Sequence, residues 1–95
     1  MSIMLSLESN ISMAPGYRLQ FESVQNSHVL LYPEGLIELN EAAAAIMHVC
    51  KKKIRYAEML TILQTEFDCS DAELIEGDVR SFLEDAYANG WINVL

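Results

Sequence analysis

Apolar and polar residues alternate strictly over residues 17–22, with Tyr17, Leu19 and Phe21 interleaved among Arg18, Gln20 and Glu22. A period of two predicts a half-buried strand, the first set facing inward and the second outward. Val29, Leu30, Leu31 and Tyr32 then follow one another without a polar interruption. Such a run suits a strand covered on both faces. Pro33-Glu34-Gly35 punctuates it and predicts a three-residue hairpin turn with a bulge, in which Pro33 presets φ and Gly35 takes the left-handed conformation. Leu36, Ile37, Glu38 and Leu39 resume the strand pattern, with Ile37 and Leu39 on one face and Leu36 and Glu38 on the other. Asn40 stands where this strand meets an alanine-rich stretch, a favourable N-cap position.

Beyond Asn40 the period lengthens to that of a helix. Ala43, Ile46, Met47 and Cys50 fall on one stripe and predict a helix over 41–50. The lysines that follow suit the negative end of its dipole. Tyr56, Met59, Leu60, Leu63 and Phe67 sit at i, i+3, i+4, i+7 and i+11 and predict a second helix over 56–67. A third, over 70–88, opens with Ser70 and Glu73 in capping-box spacing and carries Ile75, Val79, Phe82, Leu83 and Ala86 as its stripe. Gly77 interrupts it, which is expected to leave room for a close approach from outside. Asn89-Gly90 reads as a helix stop, after which Trp91-Ile92 packs back or forms a short extended segment. Residues 1–14 show no sustained period. They read as a flexible N-terminal arm, with docking on a neighbouring molecule as the alternative. Pro15-Gly16 marks the entry to the folded domain, residues 15–95. The expected architecture is α+β: a three-stranded antiparallel sheet followed by three helices.

Composition narrows the partners. The chain has 95 residues, enough for one small domain, and is 52% hydrophobic, which favours a packed core over disorder. Its formal net charge is −8, so a polyphosphate would meet a mostly like-signed field and nucleic-acid binding is not expected. Its two cysteines form no disulfide framework. No basic segment precedes a long apolar core, and no apolar run approaches the roughly 20 residues that span a bilayer. The expected compartment is the cytoplasm, away from any membrane.

Residues that carry chemistry are sparse. His28, His48, Cys50 and Cys69 lack metal-ligand spacing, so neither metal nor cofactor is expected. No nucleophile elbow and no phosphate-cradling glycine loop is present, so an enzyme is not expected either. The acids of the third helix, Asp71, Glu73, Glu76, Asp78, Glu84 and Asp85, read as a solvated face. Asp78 is the exception, since it adjoins Val79 at the edge of the apolar stripe, where a carboxylate can accept hydrogen bonds from a bound chain. Lys51, Lys52, Lys53 and Arg55 form the one basic cluster, either a solvated loop or a contact for phosphate, an acidic peptide or an acidic partner surface. The most informative feature is the sheet edge. An uncovered edge recruits a strand, and a groove between that edge and the third helix would take an extended peptide. The competing expectation is an edge covered by the N-terminal arm or by a second copy of the chain, which leaves monomer and homodimer both open.

Several segments together resemble one family. PGYRLQFE (Pro15 to Glu22), HVLLYPEG (His28 to Gly35), Leu39-Asn40 and D-V-x-x-F-L-x-x-A-x-x-x-G-W (Asp78 to Trp91) look like the PqqD family of pyrroloquinoline quinone (PQQ) biosynthesis proteins. The likeness runs from Pro15 to near the C-terminus. It departs at Cys50-Lys51-Lys52, where the family usually has an Asp-Gly turn. The resemblance implies a winged-helix-like fold acting as a peptide chaperone, a recognition element for a ribosomally made precursor peptide. It also implies presentation of that peptide to a radical S-adenosylmethionine enzyme that cross-links its Glu and Tyr. The peptide would add as a strand beside Leu36, Ile37, Glu38 and Leu39, against the face carrying Ile75, Asp78, Val79 and Phe82. Lys51, Lys52, Lys53 and Arg55 are the candidate contact for the enzyme. Pro33, Gly35, Asn40 and Trp91 read as structural: turn, turn, cap and packing. The alternative is a winged-helix DNA-binding regulator, disfavoured because the third helix has six acids against Arg80 alone.

Overall fold

The computed structural model describes residues 5–67 and 72–95. Its central hairpin sheet is built from β2 (Arg18–Glu22), β3 (Ser27–Tyr32) and β4 (Gly35–Leu39), paired antiparallel in that order. Three helices follow, α1 (Glu41–Val49), α2 (Tyr56–Glu66) and α3 (Ala72–Ala88), so the three-stranded antiparallel sheet and three helices expected from the period changes are present. Leu30 and Leu39 of the sheet are buried in one core with Met47 of α1, Tyr56, Met59 and Leu63 of α2, and Val79 and Leu83 of α3. Val29 and Leu30 point to opposite faces of β3 and both are fully buried, which accounts for the uninterrupted apolar run.

Asn40 caps α1: its Oδ1 accepts from the Ala43 amide at 2.7 Å. A cap of this kind contributes about 1 kcal/mol. It ends β4 and starts α1 with no linker between them. Gly90, at φ +80°, takes the left-handed turn after α3 that returns Trp91 to the protein. The capping box assigned to Ser70 lies outside the described residues.

The hairpin turn differs from expectation. Tyr32 pairs directly with Gly35, so the loop is the two residues Pro33 and Glu34, with no bulge. Proline cannot take the positive φ of the usual two-residue turns. Gly35 leaves the turn at φ +157°, a positive-φ conformation that residues with a side chain rarely adopt. Phe21 is also corrected. It shares a face with Leu19 as the alternation required, but is half exposed and is not among the residues packed against the core; its ring lies edge-on to His28 (ring centroids 4.9 Å apart). Among the described residues nothing lies within 4 Å of a side chain built at Gly77, so none of them makes a close approach there.

The largest correction concerns the N-terminus. Residues 1–14 were expected to fray, yet β1 (Asn10–Met13) is the middle strand of a second antiparallel sheet, between β5 (Ile54–Arg55) and β6 (Ile92–Val94). Ile11 is fully buried and Leu5 packs against the core. The physical reason lies partly at α2. Its N-cap, Arg55, offers no side-chain hydrogen bond, and its first two amides are instead satisfied by the N-terminal segment. Tyr56 N donates to Ser9 O at 2.8 Å, and Ala57 N to Leu7 O at 3.1 Å. The segment therefore completes a helix end that its own sequence leaves uncapped. No helix among the described residues is long and apolar enough to cross a membrane.

Candidate functional site

A cleft of about 620 Å³ opens between the three helices. The cap links it to the hairpin sheet, since Asn40, directly after β4, lines one end with Ala42, Ala43 and Ile46 of α1. Leu63 and Phe67 close the α2 side, and α3 supplies Ile75, Asp78, Val79, Ser81, Phe82 and Asp85. The α3 set recurs at three- and four-residue steps, so it forms one continuous face. Ile75 and Val79 are buried and form the floor, Phe82 is half-buried, and Asp78, Ser81 and Asp85 form an exposed rim. Trp91 neighbours Phe82, with ring centroids 6.2 Å apart and the planes tilted by 48°.

The second element is the open edge of β4, which pairs only with β3 among the described residues. Residues flanking a two-residue turn form a hydrogen-bonded pair, and such pairs alternate along an antiparallel ladder. Starting from Tyr32 and Gly35, the hydrogen-bonded positions of β4 are Gly35, Ile37 and Leu39. Leu36 and Glu38 therefore direct their backbone N–H and C=O groups to the open edge. A strand added there would point the side chain opposite Ile37 to the core-facing side of the sheet, the side that carries the helices.

The structure brings Ile75, Asp78, Val79 and Phe82 together in one cleft. Leu36, Ile37, Glu38 and Leu39 do not line it. They form the open edge that joins it at Asn40, with Leu39 buried, Ile37 partly buried, and Leu36 and Glu38 exposed. Asn40, expected to be a cap alone, is both cap and cleft wall. Ala42, Ala43, Ile46, Leu63, Phe67, Ser81 and Asp85 line the cleft without having been expected as site residues. Asp85 and Ser81 were detectable in principle, being one helical step from Phe82 and Asp78. Ala42 and Phe67 depend on how α1 and α2 pack against α3, which no local pattern encodes.

Of the basic cluster, Lys51, Lys52 and Lys53 are exposed and make no ion pair among the described residues. Arg55 is committed internally, to Glu8 at 3.5 Å and Glu58 at 3.4 Å. Both pairs are solvent-exposed and contribute less than about 1 kcal/mol each. The Cys50 thiol is fully buried, its Sγ lies 3.6 Å from the Met47 carbonyl, and burial pushes its pKa up to about 12. His48 and Cys50 face different ways, the histidine outward. Tyr56 is buried beneath the Arg80 guanidinium, 5.6 Å from its ring centre. Burial raises its pKa, and the Arg80 charge opposes that rise.

A hairpin wing, three helices and an apolar cleft beside an open strand edge define a winged-helix-like domain. Comparison with known proteins gives the same fold. Over 95% of both chains, with a TM-score of 0.78 and 27% identity, it matches the solution structure of the PqqD truncation of Methylobacterium extorquens PqqCD. That protein is described as a stand-alone recognition element for ribosomally synthesized and post-translationally modified peptides. The family model for coenzyme PQQ synthesis protein D matches residues 27–92, and the chain belongs to the PqqD family. A relative from Methylococcus capsulatus, named PqqA binding protein, is 42% identical over 93% of this chain and 91% of its own. Another of that name, from Azotobacter vinelandii, is 44% identical over 83% of this chain and 84% of its own.

Proposed function

We propose that this chain binds the PqqA precursor peptide as an added strand along β4, with alternate side chains entering the cleft against α3. The observation that carries the reading is the open edge at Leu36 and Glu38, which meets the apolar cleft at Asn40. Backbone hydrogen bonds to that edge supply affinity without regard to sequence, and the cleft supplies selection. The relatives named PqqA binding protein support the choice of peptide. The chain itself makes and breaks no bond. It presents the bound precursor in the cytoplasm to a radical S-adenosylmethionine enzyme, which cross-links its Glu and Tyr. Lys51, Lys52 and Lys53 are the contact for that enzyme, being exposed cations on an otherwise acidic chain.

Calorimetric titration with synthetic precursor peptide tests the reading. Saturable one-to-one binding, weakened about tenfold or more by Phe82→Ser, is expected. Absence of binding, or full affinity in that variant, would contradict it. Phe82 is preferable to Val79 as the probe. Val79 is 3% exposed and part of the core, so a charged residue there would report on folding as well.

A further inference from the structure

Asp78 and Asp85 occupy the same rim of the cleft, seven residues apart on α3 and therefore about 10.5 Å apart along its axis. Neither carboxylate has an ion-pair partner among the described residues. The nearest cation along the helix, Arg80, is turned to the other flank. There it meets Glu76 at 3.8 Å and covers the Tyr56 ring. Among the described residues no Lys, Arg or His lines the cleft, and the chain as a whole carries a net charge of −8. The site therefore combines an apolar floor at Ile75, Val79 and Phe82 with an uncompensated anionic rim.

Resting on the reading that the cleft holds a peptide strand, we infer that Asp78 and Asp85 are its specificity residues: they select an extended peptide bearing Lys or Arg beside its buried apolar side chains. The floor accepts any apolar side chain of suitable size and cannot by itself choose between peptides of similar hydrophobicity. The rim discriminates. A cation bridging to it is drawn in, and an acidic side chain in the same place meets two like charges. Both carboxylates are solvent-exposed, so each contact is worth no more than about 1 kcal/mol and weakens with salt. An extended chain advances about 3.3 Å per residue, so the two acids stand about three peptide residues apart. The flexible stems of Lys and Arg span the remaining mismatch.

The test uses the full chain, the synthetic PqqA precursor, and a copy of that peptide with every Lys and Arg replaced by Gln. Both peptides are titrated into the wild type and into Asp78→Asn/Asp85→Asn, at low and high NaCl. Both aspartates are exposed, so the fold should survive their neutralisation. The wild type is expected to bind the native peptide about five- to tenfold more tightly than the neutralised one, a preference that shrinks with salt. The double variant is expected to bind both peptides alike, at the weaker level. Equal wild-type affinity for the two peptides, or a preference that persists in the double variant, would overturn the role of these acids while leaving the cleft a peptide site. Failure of the wild type to bind either peptide would overturn the peptide reading itself, and this inference with it.

Discussion

The backbones of Asn10 and Leu95 bond to each other in both directions, Asn10 N to Leu95 O at 2.9 Å and Leu95 N to Asn10 O at 2.8 Å. The start of β1 and the last residue thus close on one another, and β1 is held between β6 and β5. Ile11, at the centre of that sheet, is fully buried. Ile11→Ala is expected to destabilise the protein by about 3 kcal/mol, by lost transfer energy and by the cavity left behind. Urea unfolding followed by circular dichroism measures it. A cost below about 1 kcal/mol would mean that the N-terminal segment is not integral to the fold.

Asn40 carries a double role as cap and cleft wall. Asn40→Ala is expected to lose about 1 kcal/mol of stability and to weaken peptide binding, whereas Asn40→Asp, which keeps the capping oxygen, should restore most of the stability. Parallel unfolding and calorimetry separate the two effects.

Gly77→Ala acts in the opposite direction. The position is exposed, within α3, and open for at least 4 Å around a new side chain. Alanine there is expected to raise stability by about 1 kcal/mol through helix propensity alone. It is off the cleft face, so peptide affinity should not change.

The Cys50 thiol ordinarily titrates near 9.0, and burial moves it to about 12. Between those values the folded protein keeps a proton that the unfolded chain has released. Stability should therefore be unaffected below about pH 9 and fall above it, by up to about 1.4 kcal/mol per pH unit. Tyr56, also raised, works in the same direction at higher pH. Urea midpoints between pH 8 and 10.5 should decline in the wild type and decline less in Cys50→Ala.

The parts of the fold that sequence reasoning reached were those encoded locally. The cap at Asn40, the hairpin strands and the apolar stripes of the helices each depend on residues within a few positions of one another. The second sheet does not. Ile11 pairs with Ile54 and with Val94, partners far away in the chain, and β5 is only two residues long. No period can be read from such a segment, and residues 10–13 look like an ordinary frayed terminus until the uncapped start of α2 is considered. The site divides in the same way. Ile75, Asp78, Val79 and Phe82 lie on one helical face and were legible together. Ala42 and Phe67 join them only through helix packing.

Peptide addition at the open edge of β4 is the step on which the proposed function depends. Amide exchange and chemical shifts of isotope-labelled protein, recorded with and without the precursor peptide, test it most directly. Saturable shifts are expected at Leu36, Glu38 and the α3 face around Asp78 and Phe82. New exchange protection is also expected at the amides of Leu36 and Glu38, since only their N–H groups point at the incoming strand. Saturable binding that leaves those two amides unprotected, or that shifts β2 or the β1–β6 sheet instead, would contradict strand addition at β4.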